Sequence, residues 1–333
     1  MPHLTIGESL CKIQIRFAMT DKFICVLDDT QLIPELCGSN DRNLRTIEEH
    51  LSVPVYCRGN EILLESSDIS KQKTFSRVIE KMRDYAKKGI TPDSDMITTI
   101  FTEAENPSVQ DEKADLSLNI PGSSRRLFPR NRNQIKMLSL LEEKDLVFAV
   151  GPAGTGKTYL AVAKALSEIM HKRVRKLIIT RPVVEAGESL GFLPGDLAQK
   201  ISPYLRPLYD AMEAILSPEA VIRLQEAGII EIAPLAYMRG RSLSNCYIIL
   251  DEAQNTTREQ MKMFLTRIGE NSKAVITGDV TQIDLPAKKS SGLVEALDIL
   301  KDIEDIGFVR FEAGDIVRNR LVKKIIDAYE KAK

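Results

Sequence analysis

Little in this sequence offers a metal centre of the thiolate–imidazole kind. Its five cysteines (Cys11, Cys25, Cys37, Cys57, Cys246) form no CxxC pair, and its three histidines (His3, His50, His171) lie far apart. A closed zinc site needs four clustered nitrogen or sulfur ligands. Long apolar runs are lacking too. No stretch approaches the roughly 18 residues needed to cross a bilayer, and the opening MPHLTIGESLCKIQIRF has no apolar signal core. An excess of one charge is also missing: 46 basic residues against 47 acidic ones leave a net charge of −1, so any polyanion-binding surface must be local. There is no internal repeat and no low-complexity tract. An odd cysteine count without a secretion signal leads us to expect a soluble cytoplasmic protein with reduced thiols and no membrane partner.

What is present is an ordinary globular balance, 43% hydrophobic and 28% charged over 333 residues, enough for roughly two domains. In 12–90, LIPEL (32–36) begins a short helix and DRNLRTIEEHL (41–51) places Leu44, Ile47 and Leu51 at helical spacing. VPVYC (53–57) and EILLE (61–65) form a hairpin turning at Arg58-Gly59-Asn60, and KQKTFSRVIEKMRDYAKK (71–88) is an amphipathic helix. This is a small α+β domain. The stretch 91–124 lacks a sustained period and collects proline, serine and acids, so it reads as a linker. Charge then switches: RRLFPRNRNQIK carries Arg125, Arg126, Arg130, Arg132 and Lys136 without a carboxylate, either a solvated tether or a phosphate-contacting arm. Over 125–333, near-continuous apolar runs (LVFAV 146–150, KLIIT 176–180, IIEIA 229–233, CYIIL 246–250, KAVIT 273–277, GFVRF 307–311) alternate with helical patterns. Strands buried on both faces look like this, which predicts an α/β parallel sheet with helices on both faces.

The first of those strands runs into GPAGTGKT (151–158), followed by a helix, the context that the G-x-x-x-x-G-K-[ST] pattern demands. Gly151, Pro152, Ala153, Gly154, Thr155 and Gly156 supply backbone that can wrap an anion, Lys157 an ammonium for the β- and γ-phosphates, and Thr158 a hydroxyl for Mg²⁺. CYIILDEAQ ends a strand in Asp251, a second metal ligand, and Glu252, a base for water attacking the γ-phosphate. The next strand ends in TGDVTQIDLP, where Gln282, with Asp279 beside it, can orient that water or contact phosphate. An ordinary loop with an Asx turn competes with this reading. Gln134 can read adenine or simply start a helix in solvent.

Taken together, these residues resemble the PhoH family of P-loop ATPases, in its longer form with an extra N-terminal domain. The resemblance rests on FPRNRNQIKMLSLLEEKDLVFAVGPAGTGKTYLA, ITRPVVEAGESLGFLPGDLAQKISPYLRPLYDAM, AYMRGRSLSNCYIILDEAQNT and ITGDVTQIDLP. It implies a RecA-like ATPase lobe binding ATP and Mg²⁺, with the family's Walker A pair on Lys157 and Thr158, its Walker B pair on Asp251 and Glu252, and its phosphate-sensing glutamine on Gln282. It further implies a homo-oligomeric ring, and proximity to RNA maturation beside an rRNA-processing endoribonuclease. Two-lobed helicases draw an arginine from their second lobe, and too little chain follows TGDVTQIDLP to form one. A finger must therefore come from another subunit, with Arg239, Arg241 and Arg318 as candidates, or hydrolysis will be slow. The N-terminal domain looks KH-like, with Cys37-Gly38-Ser39-Asn40-Asp41 between two helices, although Asp41 replaces the second glycine of GXXG.

Three functions follow as expectations: an Mg²⁺-dependent ATPase that remodels RNA or ribonucleoprotein, a nucleotide-gated scaffold with little turnover, and a small-molecule phosphotransferase. Glu252 beside Asp251 suits water activation better than transfer to an alcohol, which places the third last.

Overall fold

The computed structural model describes residues 14–17, 22–105, 117–123, 126–182, 197–286 and 290–317. The chain divides into two compact units, Met1–Asp115 and Leu116–Lys333. In the first, strands β1 (Gln14–Phe17), β2 (Lys22–Val26), β3 (Val55–Arg58) and β4 (Glu61–Glu65) form an antiparallel sheet in the order β1-β2-β4-β3. Helices α1 (Ile33–Cys37), α2 (Arg42–Leu51) and α3 (Ile69–Lys87) stand where the helical spacing placed them. Gly59 makes the β3–β4 turn at φ +63°, a conformation open to glycine at little cost. Phe23, Leu36, Ile47, Leu64, Phe75 and Met82 are buried in this unit's core.

The expected linker over 91–124 is not structureless. It contains α4 (Ser94–Glu105), capped by the Asp93 carboxylate, which accepts the Met96 N–H at 2.9 Å. Met96, Ile97, Ile100 and Phe101 are buried, and the helix packs on α2 and α3. This apolar stripe is only three turns long and lies among threonines and acids, so composition outweighed periodicity in the sequence. Further on, Leu118 pairs with Leu127 and Ile120 is buried in the core of the second unit. Strands β1 and β2, too short to stand out by alternation, complete the sheet.

The second unit is a six-stranded, all-parallel sheet: β5 (Leu146–Val150), β6 (Lys176–Arg181), β7 (Ile230–Pro234), β8 (Cys246–Leu250), β9 (Lys273–Gly278) and β10 (Ile306–Arg310), in the order β10-β5-β9-β8-β6-β7. Each strand falls on an expected apolar run. Alternate residues feed two cores. Val147, Ala149, Ile179, Ile249 and Val275 meet α5 (Arg132–Glu143), α6 (Lys157–Met170), α7 (Leu197–Glu213) and α8 (Pro218–Glu226). Phe148, Val150, Ile178, Ile248 and Ile276 meet α9 (Arg258–Leu265) and α10 (Gly292–Ile299). Strand β9, late in sequence, is wedged between β5 and β8. The chain thus reverses direction across the sheet beside β5, and open parallel sheets bind ligands at the carboxyl edge of such a point. The order and layering are those of a RecA-like P-loop fold. Among the described residues, no helix is long and apolar enough to cross a membrane.

Candidate functional site

Six strands end at that edge and four of them deliver a polar group. Residues 151–158 follow β5, Arg181 ends β6, Asp251 and Glu252 follow β8, and Asp279 follows β9. The loop after β5 needs its glycines. Gly151 has φ +145°, and a Cβ there would press into the carbonyl oxygen of Phe311; Gly156 has φ +86° and abuts the Gln134 amide, 2.9 Å from where a Cβ would sit. The Gly151 N–H donates to the Gly278 carbonyl (3.0 Å), tying the loop to the end of β9. None of the N–H groups of residues 153–158 meets an acceptor among the described residues. The loop and the start of α6 therefore present a row of open donors, an anion cradle at the positive end of a helix.

The Lys157 ammonium lies in this loop and is largely buried, donating to the carbonyls of Gly151 (2.6 Å) and Pro152 (2.7 Å) and to Thr155 Oγ1 (3.3 Å). Burial pushes its pKa below the usual lysine value, while the nearby carboxylates of Asp279, Asp251 and Glu252 pull it back up. The Thr158 hydroxyl donates to Asp251 Oδ1 at 2.7 Å, across 93 residues of sequence. Thr277, near the end of β9 and fully buried, donates its hydroxyl to the same oxygen at 2.6 Å. Asp251 is buried, yet its Oδ2 has no partner among the described residues. A carboxylate oxygen held open beside a hydroxyl is a hard oxygen donor set of the kind Mg²⁺ takes, its remaining ligands then being phosphate oxygens and water.

Glu252 sits at φ +52°, a left-handed conformation unusual away from glycine and asparagine. Its carboxylate is held on both sides: Arg181 Nη2 lies 3.5 Å from Oε1, and the Gln254 amide donates to Oε2 at 2.6 Å. Gln254, 1% exposed, also accepts the Asp279 N–H at 3.0 Å. Asp279 in turn accepts from Thr281 and from the Gln282 side chain (2.8 Å), and Asn255 accepts the Asp284 N–H at 2.8 Å. The structure thus joins Glu252 to Gln282 through Gln254 and Asp279. Gln282 itself is exposed, and the Asx turn at Asp279 is present as well, through its bond from the Thr281 N–H (2.9 Å).

Gln134 is not a solvated helix start. It is 5% exposed, its Oε1 accepts the Arg130 N–H at 2.7 Å and its Nε2 donates to the Thr155 carbonyl at 3.0 Å. Arg241 is not brought to this site. Both of its terminal nitrogens donate to Glu231 (2.6 and 3.0 Å), a carboxylate also paired with Lys176 at the opposite, amino edge of the sheet. Arg239 is exposed. Arg318 and residues 187–196 of the GESLGFLPGDL block lie outside the described residues. Sequence reasoning missed Thr277, Gln254 and Arg181. Each is an unremarkable strand-end or loop residue whose role exists only once β6, β8 and β9 lie side by side.

The family model described as PhoH-like protein matches residues 126–330. A PhoH-like protein of Mycobacterium tuberculosis is 48% identical over 305 residues, covering 90% of this chain and 85% of that one. One from Bacillus subtilis is 47% identical over 300 residues, covering 89% and 93%. Among solved structures, the Hef helicase domain of Pyrococcus furiosus aligns with 54% of this chain and 38% of its own at 14% identity and a TM-score of 0.33. With a P-loop at the edge of a six-stranded parallel sheet, and relatives matched along nearly its whole length, the chain belongs to the PhoH-like protein family of P-loop NTPases.

Proposed function

We propose that this chain is an Mg²⁺-dependent ATPase that couples its nucleotide state to the remodelling of RNA or ribonucleoprotein. The observation that carries the catalytic part is the Asp251 carboxylate: one oxygen is fixed by hydroxyls from the P-loop helix and from β9, the other is open, and Glu252 stands next to it. Thr158 and Asp251 would hold Mg²⁺, which neutralises phosphate charge and aligns the β- and γ-phosphates. Lys157 exchanges its loop carbonyls for phosphate oxygens. Glu252 accepts the proton of the attacking water. Gln282, through Asp279 and Gln254, links the γ-phosphate to the position of that glutamate.

The RNA part rests on surface chemistry. Arg130, Arg132 and Lys136 are exposed at the start of α5, and Arg42, Arg45 and Arg58 are exposed on the N-terminal unit. There the loop between α1 and α2, with Gly38, Asn40 and Asp41 all at positive φ, suits a KH-like clamp on a nucleic-acid backbone. Such binding weakens steeply with salt because phosphate contacts release counterions. A ring of like subunits would bring Arg239 or Arg318 to a neighbour's γ-phosphate, Arg241 being committed to Glu231.

One observation favours the scaffold reading at rest: both oxygens of Glu252 are engaged by Arg181 and Gln254, so turnover awaits their release. The deciding experiment is ATP hydrolysis with and without Mg²⁺ and RNA, on material whose solution mass is measured alongside. Mg²⁺-dependent hydrolysis accelerated by RNA is expected. Tight binding with no turnover under any of these conditions would leave the scaffold.

A further inference from the structure

The N–H groups of the anion cradle must point inward before a triphosphate arrives, and glycine alone does not aim them. In a trans peptide the carbonyl and the following N–H point in opposite directions. A donor that captures a carbonyl from outside the loop therefore turns the next N–H toward the inside. Two successive peptides of the P-loop are captured in this way. The Gly154 carbonyl accepts the Val317 N–H at 2.9 Å, and the Thr155 carbonyl accepts the Gln134 side-chain amide at 3.0 Å. The N–H groups that follow, those of Thr155 and Gly156, are among the donors left without an acceptor in the described residues.

Both captors are built to stay in place. The Gln134 amide can sit only one way round: its oxygen faces the Arg130 N–H (2.7 Å), so its nitrogen must face Thr155. Its own N–H donates to the Asn131 cap at 2.9 Å, and the side chain is buried beneath Gly156. The Val317 segment is pinned at Asp315. That carboxylate accepts from the Asn133 side chain at 2.6 Å and from the Glu312 N–H at 2.8 Å, and its main-chain carbonyl accepts the Asn131 amide at 3.2 Å. The start of α5 and the segment after β10, 182 residues apart across the Asn133–Asp315 bond, thus converge on adjacent peptides of one loop.

We propose that Gln134 and the 312–317 segment are positioning elements that preorganise the phosphate cradle, and that Gln134 therefore acts on the triphosphate irrespective of the base. This rests on the nucleotide-binding reading above and departs from the adenine-reading role expected for Gln134. A base reader presents its amide edge to the ligand; here both ends of the amide are spent on main chain.

The test measures binding of ATP, GTP and inorganic tripolyphosphate, each with Mg²⁺, to wild type, Gln134→Leu, Val317→Pro, Val317→Ala and Asn133→Ala, all checked for folding by thermal melting. Proline removes the Val317 donor and fixes φ there, whereas alanine keeps the donor and controls for the lost side chain. Gln134→Leu and Val317→Pro should each weaken all three ligands by a common factor of about three- to tenfold, the worth of one hydrogen bond. Asn133→Ala should do so more mildly, and Val317→Ala should match wild type. Loss of ATP-over-GTP preference in Gln134→Leu with tripolyphosphate affinity intact would make Gln134 a base reader and overturn the proposal. Unchanged affinities in Val317→Pro would overturn the 312–317 half, and if that variant does not fold, unchanged affinities in Asn133→Ala would do the same. Wild type that binds none of the three ligands would refute the nucleotide reading itself.

Discussion

On one wall of the cleft, residues 151–158, the groups that face the ligand position are main-chain N–H donors. On the other, at the ends of β8 and β9, they are side chains: Asp251, Glu252, Gln254 and Asp279. The first wall depends on backbone shape, set by glycines at positive φ and by carbonyls captured from behind. The second depends on a chain of side-chain hydrogen bonds in which each member fixes the next. The main chain of the first wall can be occupied without being rearranged, Lys157 alone changing its partners. Side chains change partners by rotating, so on the proposed reading it is the relay that responds to a γ-phosphate.

The contrast can be broken from either side. Lys157→Ala removes the one cationic side chain of the backbone wall and should cost ATP affinity about a hundredfold, the loss of two charge-assisted bonds, measured by calorimetric titration. Gln254→Leu cuts the relay at its buried centre. It leaves the Asp279 N–H unpaired and frees one oxygen of Glu252, so stability should fall by about 1–3 kcal/mol in denaturant melts. Basal ATP turnover in that variant should rise, or at least lose its dependence on RNA, while ATP affinity stays near wild type; a matched loss of affinity would show that the walls are not separable. Thr277→Val removes one of two donors to Asp251 and should cost about 1 kcal/mol of stability and raise the Mg²⁺ concentration needed for half-maximal activity several-fold.

The smallest effect lies far from both walls. The Arg241 guanidinium, with help from Lys176, holds the Glu231 carboxyl down at about 2. A depressed carboxyl adds stability above the unfolded value of 4.5, and that stability is lost as pH falls from there toward 2. Glu231→Gln should therefore lower Tm slightly at neutral pH, since the pair is partly exposed and screened. The difference should begin to shrink as the melts are taken below pH 4.5 and be gone near pH 2.

How much of this was legible in the sequence follows the same division. The backbone wall was, because its chemistry needs glycines at fixed offsets and a lysine–threonine pair after an apolar strand. Asp251 and Glu252 also stood out, as acids closing an apolar run. The relay was not: Gln254, Thr277 and Arg181 gain meaning only from β9 lying between β5 and β8, an order that no local period encodes. Gln134 was noticed but its burial was not legible, because its partners Arg130 and Thr155 are set by the docking of α5 against the loop. Helix α4 was lost for the opposite reason, its short apolar stripe masked by a linker-like composition.

The joint action of the two walls is tested most directly by Glu252→Gln. The amide keeps the size of the carboxylate but only one acceptor oxygen, so it gives up one of the contacts to Arg181 and Gln254, and it cannot accept a proton from water. With Mg²⁺ and ATP, this variant should bind nucleotide as tightly as wild type in equilibrium titration and release phosphate at least about a hundredfold more slowly in single turnover. Phosphate release at the wild-type rate, or loss of ATP binding, would contradict the assignment of Glu252 as the base beside a magnesium-bearing aspartate.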